Sequence, residues 1–142
     1  MKKVIFVCTG NTCRSPMAEA VAKKLWEGKA EVISRGLGAG GMGITKYAAD
    51  VLAENGFDAG EHISASLTAE EVAAADLVLT MTESHKRVIS DALPQFAYKV
   101  HTLCEYAGKD GDIPDPYMMG KQEYEACFEK IYGCIKAIDI QE

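Results

Sequence analysis

A chain of 142 residues with 48% apolar and 25% charged side chains fits one compact domain spanning residues 1–142, and excludes a disordered chain or a fibrous repeat. Its 15 basic and 21 acidic residues leave a net charge of −6, which argues against nucleic acid or an anionic membrane as a partner, so any anion site must be local. No apolar run nears the roughly 18 residues that span a bilayer, and the N-terminal run is too short for a signal peptide. A cytoplasmic location is therefore expected, with the five cysteines (Cys8, Cys13, Cys104, Cys127 and Cys134) as thiols and not a disulfide framework.

Val4 to Val7 is an unbroken apolar, β-branched run, the pattern of a strand buried on both faces of a parallel sheet. Ser15-Pro16 offers an N-cap followed by proline at the first helical position, and Met17, Val21 and Leu25 recur every four residues, which predicts a helix from about Ser15 to Glu27. Glu31 to Ser34 reads as a short strand. Five of the 13 glycines then fall between Gly36 and Gly43 and predict a loop. Tyr47, Val51 and Leu52 mark a second helix that ends at Asn55-Gly56. Thr68 and Glu71 stand at capping-box spacing and open a short helix before Asp76. Leu77 to Thr80 is a buried strand, Glu83 to Ala92 a helix stopped by Pro94, and Tyr98 to Leu103 another strand. Tyr124, Cys127, Phe128, Ile131, Ile135 and Ile138 trace one face of a helix from Lys121 to Ile138. Strands alternating with helices predict an α/β fold of three layers with a mostly parallel sheet.

Between the first strand and the first helix lies Cys8-Thr9-Gly10-Asn11-Thr12-Cys13-Arg14-Ser15. A loop leaving the carboxyl end of a parallel strand and entering a helix N-terminus can turn several backbone N–H groups onto one dianion, assisted by the helix dipole. Arg14 would add a two-pronged contact to phosphate oxygens. The same positive field favours the thiolate of Cys8, a nucleophile. Ser15 is placed to hydrogen-bond that sulfur, and Gly10 and Asn11 tolerate the positive φ of a tight cradle. Further on, Asp112-Ile113-Pro114-Asp115-Pro116-Tyr117 holds one carboxyl, Asp115, between two prolines, where it could protonate a leaving group and then deprotonate water.

The run Val7-Cys8-Thr9-Gly10-Asn11-Thr12-Cys13-Arg14-Ser15-Pro16-Met17-Ala18-Glu19, with Asp115-Pro116-Tyr117, closely resembles the low-molecular-weight protein tyrosine phosphatase family. Ser34-Arg35-Gly36, His62 with Leu67-Thr68, and Ala75 to Met81 fall where that family carries similar segments, so the resemblance covers nearly the whole chain. It implies a single four-stranded parallel α/β/α domain with the Cys-x5-Arg loop after the first strand, and a phosphocysteine mechanism needing no metal or other cofactor. Cys8 would be nucleophile, Arg14 phosphate clamp and Asp115 general acid. Thr9, Gly10, Asn11, Thr12, Cys13, Ser15 and Tyr117 would contact substrate, while Ser34 and His62 join Asn11 and Ser15 in holding the loop's shape. The implied partners are phosphorylated proteins, met by a monomer or weak dimer. At Thr12 the tyrosine phosphatases usually carry isoleucine, whereas threonine is what the protein-arginine phosphatase branch carries. Thr102-Leu103-Cys104-Glu105-Tyr106 and the short Gly111-Asp112 approach also look more like that branch, so phosphoarginine is the expected substrate and phosphotyrosine the alternative.

Two other enzyme readings and one non-catalytic reading are weaker. Gly36-Leu37-Gly38-Ala39-Gly40-Gly41 satisfies the dinucleotide-binding pattern, but Asp58 to His62 is no second strand and the required βαβ context is missing. Arsenate reductases on the same fold use two further cysteines close together downstream, and this chain has none between Cys13 and Cys104. A phosphate-binding module without activity would have lost the nucleophile or the aspartate. The cysteine spacings match no metal site. Cys127 and Cys134 read as core residues, while Cys13 could close a reversible disulfide with Cys8.

Overall fold

The computed structural model describes residues 1–141. Four strands, β1 (Lys2–Cys8), β2 (Ala30–Gly36), β3 (Leu77–Thr80) and β4 (Val100–Thr102), form one sheet in the order β2-β1-β3-β4, with every pairing parallel. The helices are α1 (Arg14–Leu25), α2 (Lys46–Glu54), α3 (Ala69–Ala74), α4 (Glu83–Ala92), α5 (Leu103–Tyr106) and α6 (Lys121–Ala137). The expected three-layer α/β fold with a four-stranded parallel sheet is the one observed. Among the described residues no helix is long and apolar enough to cross a membrane.

The period of two along β1 divides the core. Val4, Phe6 and Cys8 face one apolar cluster with Met17 and Val21 of α1, Leu52 of α2 and Ile131 and Ile135 of α6. Ile5 and Val7 face the other, with Val72 of α3 and Ile89 of α4. Burial on both faces is why β1 is apolar without alternation. Phe6 is fully buried and stacks on Trp26 with ring centroids 5.9 Å apart, so its truncation to alanine costs about 3–5 kcal/mol.

Three expectations need correction. First, helix α1 begins at Arg14 with Cys13 in the N-cap position and no side-chain cap, so Ser15 and Pro16 sit inside the first turn. Proline is tolerated there because the first N–H groups of a helix have no intrahelical acceptor, and the Ser15 hydroxyl is free for other work. The helix stops at Leu25 and not Glu27, because Trp26 turns into the core and Gly28 has φ +80°. Second, Tyr98 to Leu103 is not one strand. Tyr98 belongs to a 3-10 turn (Pro94–Lys99), and Thr102 ends β4 by capping α5, its hydroxyl accepting from the Glu105 N–H while the Glu105 carboxylate accepts from the Thr102 N–H. Third, α6 ends at Ala137, with Ile138 as its cap.

Parallel strands bring their carboxyl ends to one edge, and the fold uses that edge. The Cys8 loop leaves β1 there, Gly36 ends β2 beside it, and the Ile113 N–H donates to the Met81 carbonyl just past β3, docking the Asp115 loop at 2.9 Å.

Candidate active site

At this edge opens a cavity of about 550 Å³. Cys8, Thr9, Gly10, Thr12, Cys13 and Arg14 form its floor, and Asp115 and Tyr117 one wall. The opposite wall is the glycine-rich stretch with Met42, Ile44 and Thr45. Gly36, first of the dinucleotide-like pattern, is needed for packing: a Cβ there would lie 2.7 Å from the Thr9 carbonyl and 3.0 Å from Asn11 Cβ. The stretch is therefore the brace of the Cys8 loop, with the Leu37 N–H on the Cys8 carbonyl (3.0 Å) and the Gly38 N–H on the Thr9 carbonyl (2.9 Å).

The turn of the loop centres on Asn11, which adopts φ +57°, while Gly10 keeps a negative φ. The fully buried amide of Asn11 donates to Ser15 Oγ (2.8 Å) and to Ser34 Oγ (2.9 Å), and its oxygen accepts from the Ala65 N–H (3.1 Å). The Asn11 carbonyl accepts from His62 Nε2 at 2.6 Å. Because both hydroxyls accept from the same amide, each has its own proton to give. Ser34 gives its proton to the Glu19 carboxylate. Ser15 lies 2.9 Å from Cys8 Sγ and 3.5 Å from the Arg35 carbonyl, so its stronger bond is to the sulfur. The side chains of Asn11 and Ser15 thus brace the loop from behind the cavity floor, so the substrate contacts expected of these two residues fall to their backbone N–H groups. Ser34 and His62 stand where the loop's support was expected.

Arg14 is 4% exposed and held from behind by its Nη1–H on the Ile113 carbonyl (3.0 Å). Its Nη2 lies 3.5 Å from Asp115 Oδ2, and its buried Nε–H has no partner among the described residues. A buried guanidinium with donors to spare, lining a cavity beside a thiol, suits a phosphoryl group. Asp115 is fixed from its own loop, where Oδ1 accepts from the Tyr117 N–H at 3.0 Å. Cys13 is also close, its Sγ 4.0 Å from the same oxygen. Burial, and next the neighbouring Cys8, push the Cys13 thiol up to about 12, so it stays protonated where a thiolate at Cys8 would react.

Sequence reasoning missed Glu19, Asp112 and His85. Glu19 follows Ser15 by four positions and so shares its face of α1, a spacing that could have revealed it. Asp112 accepts from the Glu83 N–H at 2.9 Å and so caps α4 from the Asp115 loop, a contact across 29 positions that no local pattern signals. His85, in the first turn of α4, lies behind Thr9. No group of three or more His, Cys, Asp or Glu side chains among the described residues is placed to hold a metal ion.

Comparison with known proteins agrees with this geometry. Residues 3–138 match the low molecular weight phosphotyrosine protein phosphatase family. A protein-arginine-phosphatase of Bacillus subtilis is 45% identical over 119 residues, covering 80% of this chain and 79% of its own. The low molecular weight protein-tyrosine-phosphatase PtpB of Staphylococcus aureus is 37% identical over 138 residues, 94% of each chain. The solved structure of the YwlE arginine phosphatase from Geobacillus stearothermophilus superposes with a TM-score of 0.91 at 37% identity, covering 96% of this chain and 90% of that one. With a matching family over nearly its whole length, the expected fold and a Cys-x5-Arg loop lining the cavity, the chain belongs to the low molecular weight phosphotyrosine protein phosphatase family and is a cysteine-based phosphatase.

Proposed function

We propose that this phosphatase removes the phosphoryl group from phosphoarginine in proteins. The observation that carries the reading is Thr12, a polar residue on the cavity floor whose carbonyl is pinned by the Thr45 N–H at 2.8 Å. Phosphoguanidinium is rich in N–H donors, and a hydroxyl can accept from them where a branched alkyl group would leave them unpaired. The Bacillus subtilis relative named a protein-arginine-phosphatase, and the arginine phosphatase of Geobacillus stearothermophilus, support the same reading.

In the first step Cys8 Sγ attacks phosphorus as a thiolate, the bond from phosphorus to the bridging nitrogen breaks, and Asp115 passes its proton to that nitrogen. Arg14 and the loop N–H groups take the charge that spreads over the three phosphoryl oxygens. In the second step water attacks the phosphocysteine and gives a proton to Asp115. The P–S bond breaks, and Cys8 leaves as a thiolate that accepts the Ser15 hydroxyl. Inorganic phosphate is released and the starting state is restored. We place it in the cytoplasm, because a nucleophile such as Cys8 works only while its thiol is kept reduced.

Phosphotyrosine is the second reading, favoured by the apolar rim in which Met42 is 64% and Tyr117 56% exposed. The two are separated by kcat/KM on matched phosphoarginine and phosphotyrosine peptides for the wild type and Thr12→Ile. The phosphoarginine reading expects the wild type to prefer phosphoarginine and the substitution to lower that activity about tenfold, one lost hydrogen bond, while sparing phosphotyrosine. A wild type that prefers phosphotyrosine, or a ratio unchanged by the substitution, refutes it.

A further inference from the structure

His85 does not itself line the cavity, but it touches the loop that does. It is the third residue of α4, its side chain is 7% exposed, and its Nε2 lies 2.8 Å from Thr9 Oγ1. Its Nδ1 is enclosed and has no hydrogen-bond partner among the described residues. Burying an imidazole with one nitrogen unpaired is costly, and leucine or methionine would fill that space without the cost. The one bond the ring makes is to the residue that follows the nucleophile. We propose that His85 is a positioning residue of the active site, which through the Thr9 hydroxyl fixes the first turn of the phosphate-binding loop.

Thr9 is otherwise held through its carbonyl, on the Gly38 N–H, and its exposed side chain has no second anchor. With the ring in place, both ends of the residue are fixed and the N–H groups beyond Cys8 keep one direction. The first turn of α4 also reaches the second catalytic loop. Thr82 caps the helix by accepting from the His85 N–H (3.1 Å), and Asp112 accepts from the Glu83 N–H, three positions before Asp115. One rigid helix end thereby sets the Cys8 loop against the Asp115 loop. The charged groups facing the ring are Arg14 from α1 and Asp112 and Asp115 from the loop after α5. Burial first, and Arg14 next, hold the ring neutral, so Arg14 remains the cation of the cavity floor.

The inference rests on the Cys8 loop being the reacting loop, but not on which phosphoprotein is the substrate. It is therefore tested with p-nitrophenyl phosphate and with orthovanadate, which mimics the phosphoryl group in transfer. His85→Ala, Thr9→Val, the double variant and His85→Gln are compared for kcat, KM, vanadate inhibition and melting temperature. His85→Ala and Thr9→Val should each lower kcat about tenfold, weaken vanadate inhibition in parallel and leave KM within about threefold. The double variant should be no slower than either single one, since both remove the same bond, and His85→Gln should recover most of the rate. A double variant slower by the product of the two losses, or a His85→Ala that melts lower at the wild-type kcat, overturns the proposal. Should His85→Ala fail to fold, Thr9→Val and His85→Gln still decide, because a wild-type rate in Thr9→Val sinks the idea. Turnover that survives Cys8→Ser is a different result, which removes the reacting loop and this inference with it.

Discussion

Asn11 carries the shape of the active-site loop, and its replacement has a computable cost. Asn11→Ala removes three side-chain hydrogen bonds, to Ser15 Oγ, Ser34 Oγ and the Ala65 N–H, and leaves those buried groups without that partner. At about 1 kcal/mol each they sum to about 3 kcal/mol. The backbone adds a further term, because alanine at φ +57° pays about 1 kcal/mol that asparagine largely avoids. A loss of about 4 kcal/mol in a domain of this size lowers the melting temperature by roughly 15 °C. Asn11→Gly separates the two terms, since glycine loses the same hydrogen bonds but accepts the left-handed backbone freely. The glycine variant should melt about 4 °C above the alanine variant, the reverse of their order at an ordinary position. Both should lose kcat alike, because both release Ser15 from the amide that orients it toward Cys8. Thermal melts of the two variants, followed by circular dichroism, are the assay. An alanine variant as stable as the glycine variant or more so would refute the left-handed turn as the loop's centre.

Asp115→Asn should lower kcat/KM, which reports the first step alone, by about a hundredfold or more for phosphoramidates and alkyl phosphates yet far less for p-nitrophenyl phosphate, because only a poor leaving group needs the proton. Equal slowing would assign Asp115 to holding Arg14 and not to proton transfer. His85 makes stability depend on pH with a definite sign. Its folded-state value is about 4 against an ordinary 6.5, so between those limits the unfolded chain binds the extra proton and stability falls as pH falls. From pH 7 to pH 5 this amounts to about 2 kcal/mol, and His85→Gln should lack that share of the urea-midpoint shift. An unchanged shift would contradict a buried neutral ring. Iodoacetamide at pH 7 should modify Cys8 and spare Cys13, Cys127 and Cys134, which burial pushes up to about 12, 12 and 11. Labelling of Cys13 first, seen by peptide mapping, would reverse the assignment of nucleophile.

The parts of the fold legible in the sequence are those where one physical signal dominates. The Val4 to Val7 run could only be a strand buried on both faces, and Thr68 with Glu71 marked a helix start because the box is a local device. Ser15-Pro16 misled for the opposite reason. It carries a cap signal, but the Ser15 hydroxyl is engaged by Cys8 and Asn11, so the helix opens one residue earlier without a side-chain cap. Tyr98 to Leu103 looked like a strand by composition, and the capping box of Thr102 and Glu105, the same device recognised at Thr68, was hidden inside it. At the site, Cys8, Arg14 and Asp115 stood out because loop chemistry is written in short motifs. His85 did not, because its importance depends on β3 lying next to β1, which brings the start of α4 behind Thr9. Pairings between distant strands are a property of the whole chain.

The most direct test of the central claim is to mix the wild-type enzyme rapidly with a protein labelled on phosphoarginine, quench within the first turnover, and locate the phosphoryl group by peptide mass spectrometry. The mechanism predicts one phosphoryl on Cys8, formed faster from phosphoarginine than from phosphotyrosine, and none when Cys8 is alkylated beforehand. Phosphate released without label on Cys8, or label gained faster from phosphotyrosine, would contradict it.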